Sequence, residues 1–580
     1  MGLKTSLSQG LALTALITSL GLTSHVKAET PPAYQQRLPQ DEVIYFVLTD
    51  RFYNADPSND LGGLKGDKYV TGFDATDPGF FHGGDIKGLK EKLDYIQHLG
   101  ITEIWLAPVF KNKAVQGAKG HASAGYHGYW ITDFSDIDPH LGTKSDFKAF
   151  VDAAHARGMK VIMDIVINHT ADVIQYKECI HQACPYRSKA DYPDTAYTPF
   201  VPEDEAHVKK PDWLNEVKYY HNRGASTFEG ESALDGDFGG LDDVKTEDPF
   251  VVKGFIDIYS QWIDNYKIDG YRIDTARHVN PEFWQAFIPA ILERAKANGI
   301  PNFHIFGEVY DPDSAILAVH TQVDRLPAVL DFGLFNTISE TLAKDAPTEA
   351  FTRLFRKDVL FTDPFKLATF NDNHDAGRIA YLIKKERPTI SDDELYQRVK
   401  LAYNMVLFSR GTPVIYYGDE QGFVGTGDDR HARQDMMASS VAEYNSDQVL
   451  KGVGTGDHFN EGSIPYLDVK QMIGVRQSDR DLQRGQSISL SQTHSGPGAY
   501  IMWRQITGEA NGTLVAFNTS TKPVSLNVYV GQDIKQWASL YGQCAPTGPT
   551  AKTCFNCQAG FKSCGVRVLP HAPPMPLCRP

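Results

Sequence analysis

The chain has 580 residues, enough for a barrel-sized core with one or two smaller modules. Acidic residues outnumber basic ones, 72 to 57, for a formal charge of −15, and no long basic run occurs. This balance argues against nucleic acid and anionic membrane surfaces as partners.

Lys4, the apolar run from Leu11 to Leu22 and the small-residue end Val26-Lys27-Ala28 have the order of a secretory signal peptide over residues 1–28. The run is short for a membrane span, and no second one follows. A secreted or periplasmic monomer with no membrane anchor is expected. The seven cysteines fall in two groups, Cys179 with Cys184, and Cys544, Cys554, Cys557, Cys564 and Cys578. With an export signal these read as disulfides rather than zinc ligands, with one cysteine left over or paired outside the chain.

Glu42 to Thr49 reads as a strand. A polar stretch with Asn54, Asp56, Asn59 and Asp60 follows, and then His82-Gly83-Gly84-Asp85. Such Asn and Asp oxygens form turns, and they also suit a hard cation such as calcium. Ile86, Leu89, Leu93 and Ile96 predict one helix over 85–99, stopped by Gly100, and a strand over 101–108. Tyr126-His127-Gly128-Tyr129-Trp130 is an aromatic cluster of the kind that stacks on sugars or closes a loop.

A helix over 144–157 and a strand over 160–167 follow, ending in Asn168-His169. Residues of about 169–249 break the rhythm and read as an inserted subdomain, since a structureless loop of that length is improbable. A helix near 250–266 leads to the strand 268–273, which ends Arg272-Ile273-Asp274. Arg272 and Asp274 share one face of that strand, and the guanidinium keeps the carboxylate ionised. A helix over 281–297, a strand ending at Glu308, a less clear unit around 328–332, a strand ending in His374-Asp375, a helix over 393–408 and a last strand over 412–417 complete about eight alternations.

This pattern predicts a (β/α)8 TIM barrel over 29–478, with an open doubly wound sheet as the alternative. Alternating segments at 499–504 and 513–517 predict a C-terminal β-sandwich over 479–580, with a cysteine-rich tail. In a parallel barrel, His169, Asp274, Glu308, His374 and Asp375 converge on the C-terminal mouth. Two carboxylates there, one ionised and one protonated, meet the needs of glycoside hydrolysis. Asp274 beside Arg272 is the better anion. Glu308, with no adjacent cation in sequence, is the better acid.

The motifs DIVINH (164–169), GYRIDTARH (270–278), GEVY (307–310) and FNDNHD (370–375) stand in the order of glycoside hydrolase family 13. The chain resembles that family, and the α-amylases within it, from about Asp41 to Ser478. The resemblance implies Asp274 as nucleophile, Glu308 as general acid and base, and Asp375 as transition-state stabiliser in a retaining mechanism. It further implies His127, His169, Arg272 and His374 around the reacting sugar, Tyr129 stacked on it with Trp130 beside it, and Arg277 toward the leaving group. A Ca2+ ion is implied at Asn168, Asp243 and His278. A second resembles a site of cyclodextrin glucanotransferases and some bacterial amylases, at Asn54, Asp56, Asn59, Asp60, Gly83 and Asp85.

The implied substrate is an α-glucan polysaccharide or oligosaccharide, cleaved by an endo-acting α-amylase. A transglycosylase, a maltogenic enzyme or an α-glucosidase shares the same motifs, and a non-catalytic glucan-binding relative is the reading from another class.

Overall fold

In a computed structural model, the described residues are 32–568 apart from 118–119, 181–182, 453–455, 530–536, 543–544, 548–551 and 558–561. The expected signal peptide, Cys544 and Cys578 lie outside them, as do the side chains of Cys554 and Cys557.

The central sheet is parallel. Its strands are β1 (Ile44–Val47), β2 (Glu103–Leu106), β3 (Lys160–Ile165), β4 (Gly270–Ile273) and β5 (His304–Gly307). β6 consists of the bridging residues Val329 and Leu330, followed by β7 (Ala368–Thr369) and β8 (Thr412–Tyr416). Ile44 pairs with both Glu103 and Val414, so β8 returns to β1. Gly307 bridges Val329 and Leu330 bridges Ala368, which joins β5 to β7 through β6 and closes the eight-membered ring. The unit that is least clear in sequence is therefore a pair of isolated bridges rather than a continuous strand. Every residue of β1 to β5 is buried, as expected for strands covered on both faces.

The helices outside the barrel follow from ordinary signals. Thr143 and Asp146 form a reciprocal capping box at the start of α1 (Lys144–Ala156), which buries Phe147, Phe150, Val151 and Ala154 against the sheet. Asp248 caps α2 (Pro249–Tyr266), with Pro249 in the first turn where its missing N–H costs nothing. α3 (Pro281–Ala297) and α4 (Asp392–Phe408) stand close to their expected limits. The helix expected over 85–99 is instead two pieces, Ile86–Glu91 and Leu93–Leu99. Lys92 between them leaves helical geometry and lays its ammonium over the rings of Tyr53 and Phe459, a tertiary contact that periodicity does not register.

Between β3 and α2 the chain makes a long excursion with little regular structure. His169–Thr170 pairs with Asp242–Asp243, Gln175–Tyr176 pairs with Pro199–Phe200, and Cys179 is disulfide-bonded to Cys184. After the barrel, a five-stranded and a three-stranded antiparallel sheet form the C-terminal sandwich, in which Cys564 is also disulfide-bonded. Two buried arginines sit at the seam between that region and the barrel, and both donate to Leu482 O. Arg504 donates to the carbonyls of Phe408, Leu482 and Gly485, and Arg476 to those of Leu407, Ser409 and Gly411. These include the last carbonyls of α4, which have no partner within the helix. Among the described residues no helix is long and apolar enough to cross a membrane.

Candidate active site

The register of two neighbouring strands sets the centre of the site. Ile273 lies opposite Gly307, so the next residues, Asp274 and Glu308, leave β4 and β5 side by side. The Glu308 N–H donates to Ile273 O, which holds that alignment one residue past the strands. Arg272, one strand face below, is fully buried and touches three carboxylates. Its Nη1 donates to Asp274 Oδ1 at 2.8 Å and to both oxygens of Asp164 at 2.9 Å, and its Nη2 is 2.9 Å from Glu308 Oε2. The last approach is an ion pair by distance but lies off the N–H direction.

This changes the expectation for Glu308. It has no neighbouring cation in sequence, but the fold gives it the same guanidinium as Asp274. One cation shared by three desolvated carboxylates cannot hold all of them ionised. Burial pushes Asp164, Asp274 and Glu308 each up to about 7, against the opposing pull of Arg272. Asp274 is thus not the isolated low-pKa anion that the Arg-x-Asp pair suggests; the cluster titrates together.

Asp375 sits on the opposite wall. Arg433 Nη2 is 3.1 Å from its Oδ1, and His374 Nε2 is 3.1 Å from its Oδ2. Arg433 also donates from Nε to His374 O, at 3.1 Å, and from Nη1 to the Tyr126 hydroxyl, at 3.2 Å. His127, His169 and His374 are all held neutral by burial, with His169 lowered to about 3. His169 Nε2 has no partner, which suits a donor awaiting a hydroxyl.

The Tyr129 ring lies nearly parallel to those of His127 and His374, with centroids at 5.7 and 5.4 Å, and its hydroxyl donates to Asp164. Trp130 meets His127 edge to face, and Arg277 Nη1 donates to Tyr310 O. His127, Tyr129, Trp130 and Arg277 line one cleft of about 870 Å3, together with Asp274, Glu308 and Asp375. The aromatic rings of Phe228 and Tyr310 stand exposed at its rim.

The fold thus brings His127, Tyr129, Trp130, His169, Asp274, Arg277, Glu308 and Asp375 to a single cleft, with Arg272 and His374 directly beneath. Sequence reasoning did not assign Asp164 or Arg433 to the site. Asp164 left a signal, since it shares a strand face with Asn168. Arg433 left none, because it lies 58 residues beyond Asp375 in an irregular segment with no strand end to mark it.

For the first implied cation site, the structure places Asn168 beside Asp243 through the short ladder of His169–Thr170 with Asp242–Asp243. The donors suit a hard cation: burial and neighbouring carboxylates push Asp237 up to about 7 and Asp243 up to about 8. Asp243 is paired here with His221, 2.5 Å away, whose imidazole is raised to about 10. The His278 ring bonds to Ala233 O and lines the cleft.

In the second set, Asn54 Oδ1 and Asn59 Oδ1 are buried without partners, next to Asp60. Gly83 is in the left-handed region, and a Cβ there would stand 2.5 Å from Asn54 Nδ2 and 2.7 Å from Asp60 Oδ1. Asp56 and Asp85 are turned to other tasks: Asp56 pairs with Lys87, and Asp85 accepts the N–H groups of Ala55, Asp56 and Gly88. Asn54, Asn59, Asp60 and Gly83 therefore form the part of this set that fits a cation.

A closed parallel barrel whose C-terminal mouth joins two strand-end carboxylates through one guanidinium has the architecture of a glycoside hydrolase. The chain belongs to the α-amylase family: the family description "Alpha amylase, catalytic domain" matches residues 46–483. It is similar to an α-amylase of Streptomyces lividans, 39% identical over 573 residues, covering 92% of this chain and 62% of that protein. This chain therefore spans less than two thirds of that relative's length. Among solved structures it is similar to an Anoxybacillus α-amylase at 27% identity and TM-score 0.71, covering 93% of this chain and 100% of the other. It is likewise similar to a Geobacillus thermoleovorans α-amylase complexed with acarbose, at 28% identity and TM-score 0.68, with the same coverage.

Proposed function

We propose that this protein is an exported, endo-acting α-amylase that hydrolyses α-1,4-glucosidic bonds of starch, glycogen and maltodextrins with retention of configuration. The observation that carries this reading is the union of Asp274 and Glu308 on Arg272. The two residues are register neighbours one strand spacing apart, roughly 4.8 Å in a parallel sheet. Both turn to a single guanidinium. Two carboxyl groups held on one guanidinium support the retaining class, which needs its carboxyl groups about 5–5.5 Å apart, over the inverting class at about 6.5–9.5 Å.

In this reading Glu308 enters the reaction protonated and Asp274 ionised, the proton distribution that a cluster with one cation and raised pKa values supports. Asp274 attacks the anomeric carbon while Glu308 protonates the leaving oxygen. Glu308, now a carboxylate, then takes a proton from the water that releases the sugar. Asp375, fixed by Arg433 and His374, accepts from sugar hydroxyls, and neutral His169 and His127 donate to the same ring. Tyr129 and Trp130 offer aromatic faces, and a cleft of about 870 Å3 gives room for more than a single sugar ring.

Calcium belongs to the same reading. Asn168 and Asp243 would hold one ion, and Asn54, Asn59 and Asp60 a second, each neutralising crowded buried oxygens and so stiffening the excursion and the β1 loop.

The deciding experiment is product analysis on soluble starch and on maltooligosaccharides of defined length. A spread of short oligosaccharides released from internal positions is expected. Glucose removed singly from chain ends, cyclic products, or no release at all would replace this reading with one of the alternatives.

A further inference from the structure

Thr275, directly after Asp274, has φ of +47°, in the left-handed region. For a β-branched residue this conformation is costly and persists only where the surroundings enforce it. Its side chain does not explain the cost, since Oγ1 is buried with no hydrogen-bond partner. Its backbone does: the Thr275 N–H donates to Glu308 Oε2 at 3.1 Å. Arg272 Nη2 lies 2.9 Å from that same oxygen. The Thr275 hydrogen bond and the Arg272 ion pair to the Glu308 carboxyl thus both fall on Oε2.

We propose that Thr275 is a positioning residue for Glu308: its left-handed backbone aims an N–H at Oε2, which reserves that oxygen as an acceptor and confines the transferable proton to Oε1. A protonated Oε2 would direct its hydrogen at the Thr275 N–H and toward the Arg272 cation, whereas Oε1 carries no such conflict. The carboxyl then presents its acidic hydrogen in one orientation before substrate arrives. The inference rests on the reading of Glu308 as the general acid and base. The charged groups facing Glu308 are Arg272, Asp274 and Asp375.

The test replaces the Asp274–Thr275 peptide link by an ester, through incorporation of the α-hydroxy analogue of threonine, in the full-length enzyme. This replaces the N–H by an ester oxygen and keeps the threonine side chain, while weakening the Asp274 carbonyl as an acceptor. Two substrates are compared, an unmodified maltooligosaccharide, whose leaving alcohol requires protonation, and an aryl maltoside with a strongly activated leaving group, which does not. A fall in kcat/KM of about 10- to 100-fold is expected on the natural substrate, the range for a hydrogen bond to a charged group. Less than about a tenth of that fall is expected on the activated one. An N–H donor favours the ionised carboxyl, so its loss should also move the alkaline limb of the pH profile upward.

Thr275→Gly, which accepts left-handed backbone freely and loosens the N–H, should show the same substrate contrast on a smaller scale, a loss of several-fold. It keeps the idea falsifiable if the ester protein does not fold. Equal losses on both substrates, or an unmoved alkaline limb in the ester protein, would overturn the proposal. Glu308→Gln is the reference: if it shows no dependence on the leaving group, the assignment of Glu308 itself fails, and the role of Thr275 fails with it.

Discussion

Arg433 Nη2 stands 3.1 Å from Asp375 Oδ1, which gives the third carboxylate of the cleft a cation separate from the one shared by Asp274 and Glu308. The charge of the site is thereby divided between two walls. Arg272 serves Asp274 and Glu308, and Arg433 serves Asp375. Because Arg433 reaches from the segment after β8, that segment completes the active site rather than merely covering it.

Replacing Arg433 tests this division. Arg433→Ala should lower kcat/KM on maltooligosaccharides by roughly 10- to 100-fold, the range for one hydrogen bond to a charged group. Arg433→Lys, which keeps the charge but loses the fork, should fall in between. Wild-type kinetics in Arg433→Ala would show that Asp375 needs no fixed cation.

The raised carboxyl groups predict a pH-dependent stability. Asp274 and Glu308 ionise at about 7 in the folded protein, well above their ordinary range. Between the ordinary carboxylate range and 7, the folded state therefore binds more protons than the unfolded chain, so ionisation costs stability as pH rises through that window. Glu308→Gln, which removes one desolvated charge, should melt above the wild type at pH 8, by about 1–3 °C for a chain of this size, and the gain should shrink toward pH 4. Scanning calorimetry at the two pH values measures it, and a variant that melts lower at pH 8 would contradict the sign.

Chelation tests the cation sites. Removing calcium should lower the melting temperature, and restoring it should recover the loss, with about 2.7 kcal/mol at stake when the ion is present at 100 times its dissociation constant. Asn168→Ala and Asn54→Ala should each blunt part of that response. A melting curve indifferent to chelator and to added calcium would remove both sites.

The seam between the barrel and the C-terminal sandwich is also open to test. Arg504 is fully buried and its guanidinium satisfies carbonyls of Phe408, Leu482 and Gly485. Arg504→Ala leaves those acceptors unpaired and should cost about 3–5 kcal/mol, comparable to breaking other buried charged networks. Denaturant unfolding checks this, and a change below about 1 kcal/mol would mean that water replaces the guanidinium.

Most of the barrel was legible because most buried strands are short apolar runs followed by polar residues, and several helices carry a side-chain cap and an apolar stripe. The ends Asp274 and Glu308 were legible for the same reason, since each directly follows a barrel strand, and Asp375 lies in the loop that leaves β7 at the same mouth. β6 was faint because two bridging residues carry no periodicity. The environment of Glu308 was not legible at all. Its cation comes from the neighbouring strand, and the pairing of Ile273 with Gly307 that brings it there is a property of the sheet, not of either segment alone. Arg433 escaped notice because irregular chain after the last strand reaches the site through tertiary contacts with Tyr126 and His374.

The central claim is that Asp274 and Glu308, joined by Arg272, carry out retaining cleavage of α-1,4-glucosidic bonds. Proton NMR of the anomeric signals during the first minutes of maltooligosaccharide hydrolysis tests it most directly, with Asp274→Asn run alongside. The newly formed reducing end should appear as the α-anomer before mutarotation, and Asp274→Asn should release none. A β-anomer formed first, or appreciable turnover by Asp274→Asn, would contradict it.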